Sequence, residues 1–156
     1  MCNALGMGNW SMNDVAARLA AKENADNIRA QKILRDDGVR RNGTTELWRV
    51  LCDAYKSYCS DFNRTPGIRT SLVFNPVGNQ FTLGRPDSAD VLRGMVYPDR
   101  SEVCVTLLAP ESKPYEQTIR VRIADNGNYY FSDKAGVGAV DIDEVVSRSV
   151  DSLLGI

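Results

Sequence analysis

The second half of this chain alternates apolar and polar residues over short runs that end in turn-forming residues, and this pattern constrains the fold more than any other feature. In the clearest run, Ile119, Val121 and Ile123 should face a core, and Thr118, Arg120 and Arg122 should face solvent. The connections between runs are too short for the crossover of a dozen or more residues that parallel strands require. We therefore expect consecutive strands to be antiparallel neighbours.

The alternation predicts an antiparallel meander of about five to six strands, arranged as three hairpins. The strands are expected at 68–74, 80–83, 91–97, 102–108, 117–124 and 129–132. Asn126 and Gly127 lie between the last two strands. A type I′ turn needs positive φ at both central residues, which Asn and Gly tolerate, so this pair predicts a two-residue hairpin loop.

Two helices are predicted before the sheet. The first begins at Ser11 as its N-cap and ends at Gly38, and a polar break at 39–43 separates it from the second. The second helix, at about 45–62, is strongly amphipathic. Its apolar positions are Leu47, Leu51, Ala54, Tyr55, Tyr58 and Phe62.

A C-terminal helix capped by Asp141 or Asp143 is expected to pack on one sheet face. Its apolar stripe consists of Val145, Val146, Val150, Leu153 and Leu154. The predicted fold class is therefore α+β, with two N-terminal helices, the meander sheet and this final helix. We expect two parts in the 156 residues: an N-terminal helical arm at 1–42 and a single α+β domain at 43–156.

The predicted arm has little apolar surface of its own. Its start carries a narrow stripe, and the later apolar residues do not continue it cleanly. The stripe consists of Met12, Val15, Ala16, Leu19 and Ala20, and the later residues are Ala25, Ile28, Ile33 and Leu34. Such a helix lies on a partner or on the outside of its own domain. A protein partner at this helix or at the sheet face, or a homodimer, is one expectation.

The composition excludes several classes of enzyme. The chain has no histidine, so Ser-His and Cys-His nucleophile systems and His-ligated zinc sites are ruled out. Its four cysteines lack a Cys-x-x-Cys pair, so we expect reduced thiols, no metal and no cofactor. With 19 basic and 20 acidic side chains, no global field favours nucleic acid. No leader or membrane-spanning run is apparent, which predicts a cytoplasmic protein with no membrane partner.

The segment "GVGAVDIDEVV", residues 136–146, has features of a phosphate or metal site. Its Gly-x-Gly pair lacks the third glycine of a dinucleotide fingerprint, because Asp141 occupies that position. "AVDIDEVV" resembles the first motif of haloacid-dehalogenase-type phosphotransferases, in which one Asp attacks phosphate and the next acts as acid and base. Only 13 residues follow Asp143, too few for that family's sheet. The favoured interpretation is a turn followed by a helix cap.

A candidate ligand or partner surface comprises five residues: Arg93, Arg120, Arg122, Tyr129 and Trp48. Arginines and aromatic side chains on a sheet face can stack single-stranded bases, so nucleic-acid binding is one alternative, although the net charge of -1 does not favour it. A second alternative is a small-molecule or catalytic pocket under the sheet, lined by Trp48, Tyr55, Tyr58 and Phe81, with Asp53 as acid or base. No residue was assigned a catalytic, cofactor-binding or metal role.

The leading hypothesis is a small cytoplasmic, non-enzymatic binding or adaptor protein. Its layout is similar to that of bacterial type III secretion chaperones, which are small acidic α+β proteins that bind an extended segment of their cargo. That resemblance implies a protein partner held by the sheet or by a flanking helix. It lies in the architecture and involves no shared motif.

Overall fold

A computed structural model describes residues 11–108, 114–136 and 138–156 and shows an α+β fold with two helices and one six-stranded antiparallel sheet. In chain order the elements are α1 (Met12–Arg64), β1 (Val73–Val77), β2 (Gln80–Gly84), β3 (Val91–Tyr97), β4 (Glu102–Leu108), β5 (Glu116–Ile123), β6 (Tyr129–Asp133) and α2 (Ile142–Leu154). A single 3-10 turn, Pro98–Arg100, joins β3 to β4. The strands lie side by side in chain order, which confirms the predicted meander.

The prediction of two N-terminal helices was wrong, because one continuous helix replaces both. The expected break contains Gly43, which is buried within α1. A Cβ atom at Gly43 would lie 2.5 Å from Val121 Cγ1 and 2.9 Å from Cγ of Tyr129. This glycine therefore allows α1 to approach β5 and β6 closely, and it does not end the helix.

Two threonines after Gly43 keep their hydroxyl groups within the helix. Thr44 Oγ1 donates to the Arg40 carbonyl oxygen at 2.7 Å, and Thr45 Oγ1 donates to the Arg41 carbonyl oxygen at 3.1 Å. A hydroxyl that bonds the carbonyl four residues earlier is compatible with helix. The polar segment at 39–43 is therefore compatible with a continuous helix.

The contacts divide the described residues into two units, with the boundary between Gly38 and Val39. In the described part of the first unit, Ser11 Oγ accepts a hydrogen bond from the Asp14 amide at 3.3 Å, as expected of an N-cap. The second unit contains the rest of α1, the sheet and α2.

The strand bounds agree with the sequence at the centre of the sheet and differ at the hairpin ends. β3 and β4 have the predicted limits, whereas β1 lies later than expected because Gly78, at φ 61°, makes a tighter turn. The loop between β5 and β6 was predicted to be a two-residue type I′ turn. It has three residues instead, since the Ala124 amide donates to the Asn128 carbonyl, and Gly127 alone takes positive φ, at 84°.

One face of the sheet packs on α1 and α2 around Phe81, whose side chain is fully buried. Its ring lies 4.7 Å from that of Tyr55, 5.3 Å from that of Phe74 and 5.6 Å from that of Trp48, measured between centroids. A Cβ atom at Gly94 would lie 2.1 Å from Phe81 Cε1, so the ring covers that glycine directly. This is the inner face of the sheet, and the opposite face is called the outer face.

Helix α2 packs on α1 and lies against β3 and β4. Asp141 is its N-cap and accepts hydrogen bonds from the amides of Asp143 and Glu144. The buried hydroxyl groups of Tyr55 on α1 and Ser149 on α2 are hydrogen-bonded at 2.7 Å. The predicted cap is confirmed, and the packing of α2 includes a polar contact with α1 that the apolar stripe does not indicate.

Candidate functional site

The structure separates the five residues that the sequence grouped as one candidate surface. Arg93, Arg120 and Arg122 lie on the outer face, because their neighbours Leu92, Ile119 and Val121 are buried on the inner face. Tyr129 pairs with Ile123 and contacts the region of Gly43, and Trp48 stacks on Phe81, so both belong to the inner side. No single surface therefore combines the arginines with these two aromatic residues.

Arg120 is held in an ion pair on the outer face. Its Nε donates to Glu102 Oε2 at 3.0 Å, and Glu102 lies directly opposite it on β4. The Glu102 side chain is 11% exposed, and Arg100 approaches its other oxygen at 3.8 Å. A carboxylate shared by two guanidinium groups lowers the positive potential that a nucleic-acid surface would need.

Arg122 is covered by the segment that follows β6. Its Nε donates to Ser132 Oγ at 2.7 Å. Gly136, at φ 76°, passes over the guanidinium so closely that a Cβ atom there would lie 3.0 Å from Arg122 Cζ. The first glycine of the Gly-x-Gly pair therefore allows the backbone to cross an arginine, and the interpretation of this segment as a turn agrees with that geometry.

Arg93 is the remaining arginine of the candidate surface. It is half-buried and pairs across the sheet with Thr106. Within residues 11–108, 114–136 and 138–156, Arg93 forms no ion pair. One half-buried arginine is a weak basis for a nucleic-acid surface, since such surfaces use several phosphate contacts.

The pocket expected under the sheet is occupied by packed aromatic rings. Tyr55 and Phe81 have no exposed surface, and Trp48 stacks on Phe81 with an interplanar angle of 26°. Asp53 points to the exposed side of α1, where Arg49 Nη1 donates to it at 3.0 Å. This carboxylate and the aromatic cluster therefore lie on different sides of the helix.

Burial keeps the ionisable groups near this cluster neutral. Desolvation raises the pKa of the Cys52 and Cys59 thiols to about 11, and it raises the pKa of Tyr55 and Tyr115 as well. A thiol with so high a pKa has very little thiolate at neutral pH and is a poor nucleophile. In the described part of the chain, no group of three or more Cys, Asp and Glu side chains is arranged to hold a metal ion.

The edge of the sheet at β1 is partly blocked against an added strand. The side-chain amide of Asn63 binds both the amide and the carbonyl group of Leu72, each at 2.8 Å, just before the strand. Pro76 lies within β1 and has no amide hydrogen to donate. Two of the backbone positions that an incoming strand would use are therefore occupied or lack a donor.

The edge at β6 is closed by the chain itself. The Val140 amide donates to the Phe131 carbonyl oxygen at 2.9 Å, and an antiparallel bridge joins Ser132 to Ala139. Ser132 is fully buried although it lies on the outer face. These contacts disfavour the addition of a strand at this edge.

The outer face carries one apolar row. Val73, Gly84, Val91 and Leu108 are successive partners across β1 to β4. The side chains of Val73 and Leu108 are 54% and 44% exposed, and a cleft of about 320 Å³ lies beside the row. Val77, at the other end of β1, is also exposed on this face, at 60%.

The larger exposed apolar set lies on the N-terminal part of α1. Seven positions there are spaced alternately by four and three residues, which places them along one side of the helix. These positions form the seam: Met12, Ala16, Leu19, Glu23, Asp26, Ala30 and Ile33. Met12 is 78% exposed, Leu19 53% and Ile33 60%.

The sequence contained this seam, but the apolar residues alone did not reveal it. Glu23 and Asp26 occupy two middle positions, so the stripe at the start of the helix and Ile33 looked unrelated. The alternating spacing continues through the two acidic residues. Val15 and Leu34, which are also exposed, lie next to the two ends of the seam.

No protein-family model, curated protein or solved structure matches this chain. Within the described residues, no helix is both long and apolar enough to cross a membrane. The seam and the outer apolar row are the two candidate binding surfaces that this geometry offers.

Proposed function

We propose that this protein is a non-enzymatic protein-binding module, with the seam of residues 12–33 as its binding site. The observation that supports this most strongly is the exposure of Met12, Leu19 and Ile33 on one side of a regular helix. In water such a stripe contributes little to the stability of the helix, because it removes no apolar area from solvent. Packed against a second helix, the same residues would be buried.

The second unit offers fewer means of binding. Its core is filled by aromatic and aliphatic side chains, and both edges of its sheet are partly blocked. Two of the three arginines on its outer face are held by Glu102 and Ser132. These contacts favour the helical segment over the sheet, and a catalytic role receives no support from the neutral thiols and buried tyrosines.

The outer apolar row is the second candidate binding surface. Val73 and Leu108 are exposed, and the cleft beside them is large enough for one or two side chains of a partner. The outer apolar row contains one residue from each of four strands. The seam extends over about six turns of helix, at about 3.6 residues per turn. The longer surface is the stronger candidate.

A capture experiment with three single substitutions tests the proposal. Leu19→Asp places a charge in the seam, and the matched control Ile28→Asp changes a residue of similar exposure nine residues away, on the opposite side of the helix. Full-length tagged proteins are incubated with a lysate of the native cells, and bound proteins are quantified by mass spectrometry. Circular dichroism checks that helix content is unchanged.

We expect wild type and Ile28→Asp to capture the same protein in stoichiometric amount, and Leu19→Asp to capture at least about tenfold less, since burying an unpaired charge costs more than 1.4 kcal/mol. Equal capture by Leu19→Asp and wild type would contradict the proposal. Val73→Asp tests the alternative, because loss with this variant alone would place the binding site on the outer apolar row.

A further inference from the structure

The seam has an acidic centre between two apolar ends. Met12, Ala16 and Leu19 precede Glu23 and Asp26, and Ala30 and Ile33 follow them. A polar residue at a seam position lowers the stability of a helix pair, but it restricts which partner and which alignment are accepted. The position of these two carboxylates therefore bears on what can cover the seam.

The negative charges of Glu23 and Asp26 are only weakly compensated by cationic side chains of the same segment. Arg29 Nη1 lies 3.9 Å from Asp26 Oδ1, and the two side chains are 79% and 55% exposed, so this ion pair contributes little. Glu23 forms no ion pair with any residue that the structure describes. Both carboxylates would lie inside a helix–helix contact that covered the whole seam.

A second copy of this chain is a poor occupant of the seam. In a parallel pair, Glu23 would face Glu23 and Asp26 would face Asp26. In the antiparallel alignment that matches Leu19 with Ala30, Glu23 would face Asp26 twice. Both arrangements bring four carboxylates together in a partly desolvated contact, where like charges repel strongly.

We infer that the partner is a helix whose own apolar seam is interrupted by Lys or Arg at its centre. This inference rests on the proposed function and adds the chemistry of the partner to it. Cationic side chains opposite Glu23 and Asp26 would form charge-assisted hydrogen bonds while the apolar ends pack on Met12, Leu19 and Ile33. The acidic centre would then select such a helix and exclude a second copy.

The chain itself supplies a probe with this chemistry. The variant Glu23→Lys/Asp26→Lys keeps every apolar residue of the seam and has a cationic centre. Sedimentation velocity is measured for wild type alone, for the variant alone and for their equimolar mixture, at about 100 µM total protein, a concentration that detects micromolar affinity. We expect each protein alone to be a monomer and the mixture to form a one-to-one heterodimer, with an apparent Kd at least tenfold below that of either homodimer.

A charge-matched control separates the seam from net charge. Asp14→Lys/Asp125→Lys changes the net charge equally but leaves the seam intact, and its mixture with wild type should remain monomeric. In 1 M salt the heterodimer should weaken, because exposed parts of the ion pairs are screened.

Three outcomes would overturn the inference: a monomeric mixture, association in the control mixture, or a wild-type dimer that Leu19→Asp dissociates. The last outcome would identify a second copy as the occupant. A monomeric mixture would refute only the inference that the partner has a cationic centre. The role of the seam as a binding site is tested separately, by the capture experiment with Leu19→Asp.

Discussion

At the scale of single residues, two glycines of α1 differ in role although both resembled helix breakers in the sequence. Gly43 is buried against Val121 and Tyr129, whereas a Cβ atom at Gly38 would meet no atom within 4 Å. The first glycine is required by close packing and the second is not. Their local sequences gave no basis for distinguishing them, since the difference lies in residues about 80 positions away.

Alanine substitutions at these two positions should have opposite effects on stability. Gly43→Ala gains up to about 1 kcal/mol of helix propensity but forces Val121 and Tyr129 to move, which costs about 1–3 kcal/mol, so a net loss is expected. Gly38→Ala should leave the free energy of unfolding unchanged or raise it by up to about 1 kcal/mol. Urea unfolding of both variants measures this, and equal stability of the two would refute the packing role of Gly43.

At the scale of elements, the contact between α1 and α2 combines apolar packing with one buried hydrogen bond. Tyr55 and Ser149 are both fully buried, and Ser149 Oγ also donates to the Val146 carbonyl at 2.9 Å. Tyr55 Oη has no other hydrogen-bond partner among the described residues. The bond to Ser149 therefore satisfies a buried hydroxyl and fixes how α2 is placed on α1.

A double-mutant cycle should detect this bond. Ser149→Ala leaves the Tyr55 hydroxyl buried without its partner and should cost about 1–3 kcal/mol, and Tyr55→Phe should cost about 1 kcal/mol. In the double variant the two losses should be less than additive, with a coupling of about 0.5–1.5 kcal/mol. Ser152→Ala, which removes an exposed hydroxyl on the same helix, is the control and should stay within about 0.5 kcal/mol of wild type.

For the molecule as a whole, the ionisable groups in the core should make stability depend on pH only in alkaline solution. Burial raises the pKa of Cys52 and Cys59 from 9.0 to about 11 and also raises that of Tyr55. Since the folded pKa exceeds the unfolded value, the folded state favours the neutral form. The stabilisation is complete below about pH 9 and is lost as the pH rises toward 11.

We therefore expect the unfolding midpoint in urea to be insensitive to these groups between pH 6 and 8 and to fall above pH 9. The double variant Cys52→Ala/Cys59→Ala should show a smaller fall between pH 9 and 11, even though its stability at pH 7 is lower. Cys104→Ala, on the outer face, serves as the control for loss of a thiol. An identical alkaline slope in wild type and the double variant would contradict the assignment to these two thiols.

Features that depend on neighbours along the chain could be predicted from the sequence. Alternation and short connections predicted the meander, with the limits of β3 and β4, and a carboxylate before an apolar helix predicted the Asp141 cap. The seam was also present in the sequence, since it depends only on spacing within one helix.

Tertiary structure decided what depends on residues distant in the sequence. The continuity of α1 through Gly43 and the separation of Tyr129 and Trp48 from the three arginines both arise between distant segments. Local propensity is worth about 1 kcal/mol per residue, and one close packing contact outweighs it. That is the physical reason why the predicted helix break failed while the predicted meander held.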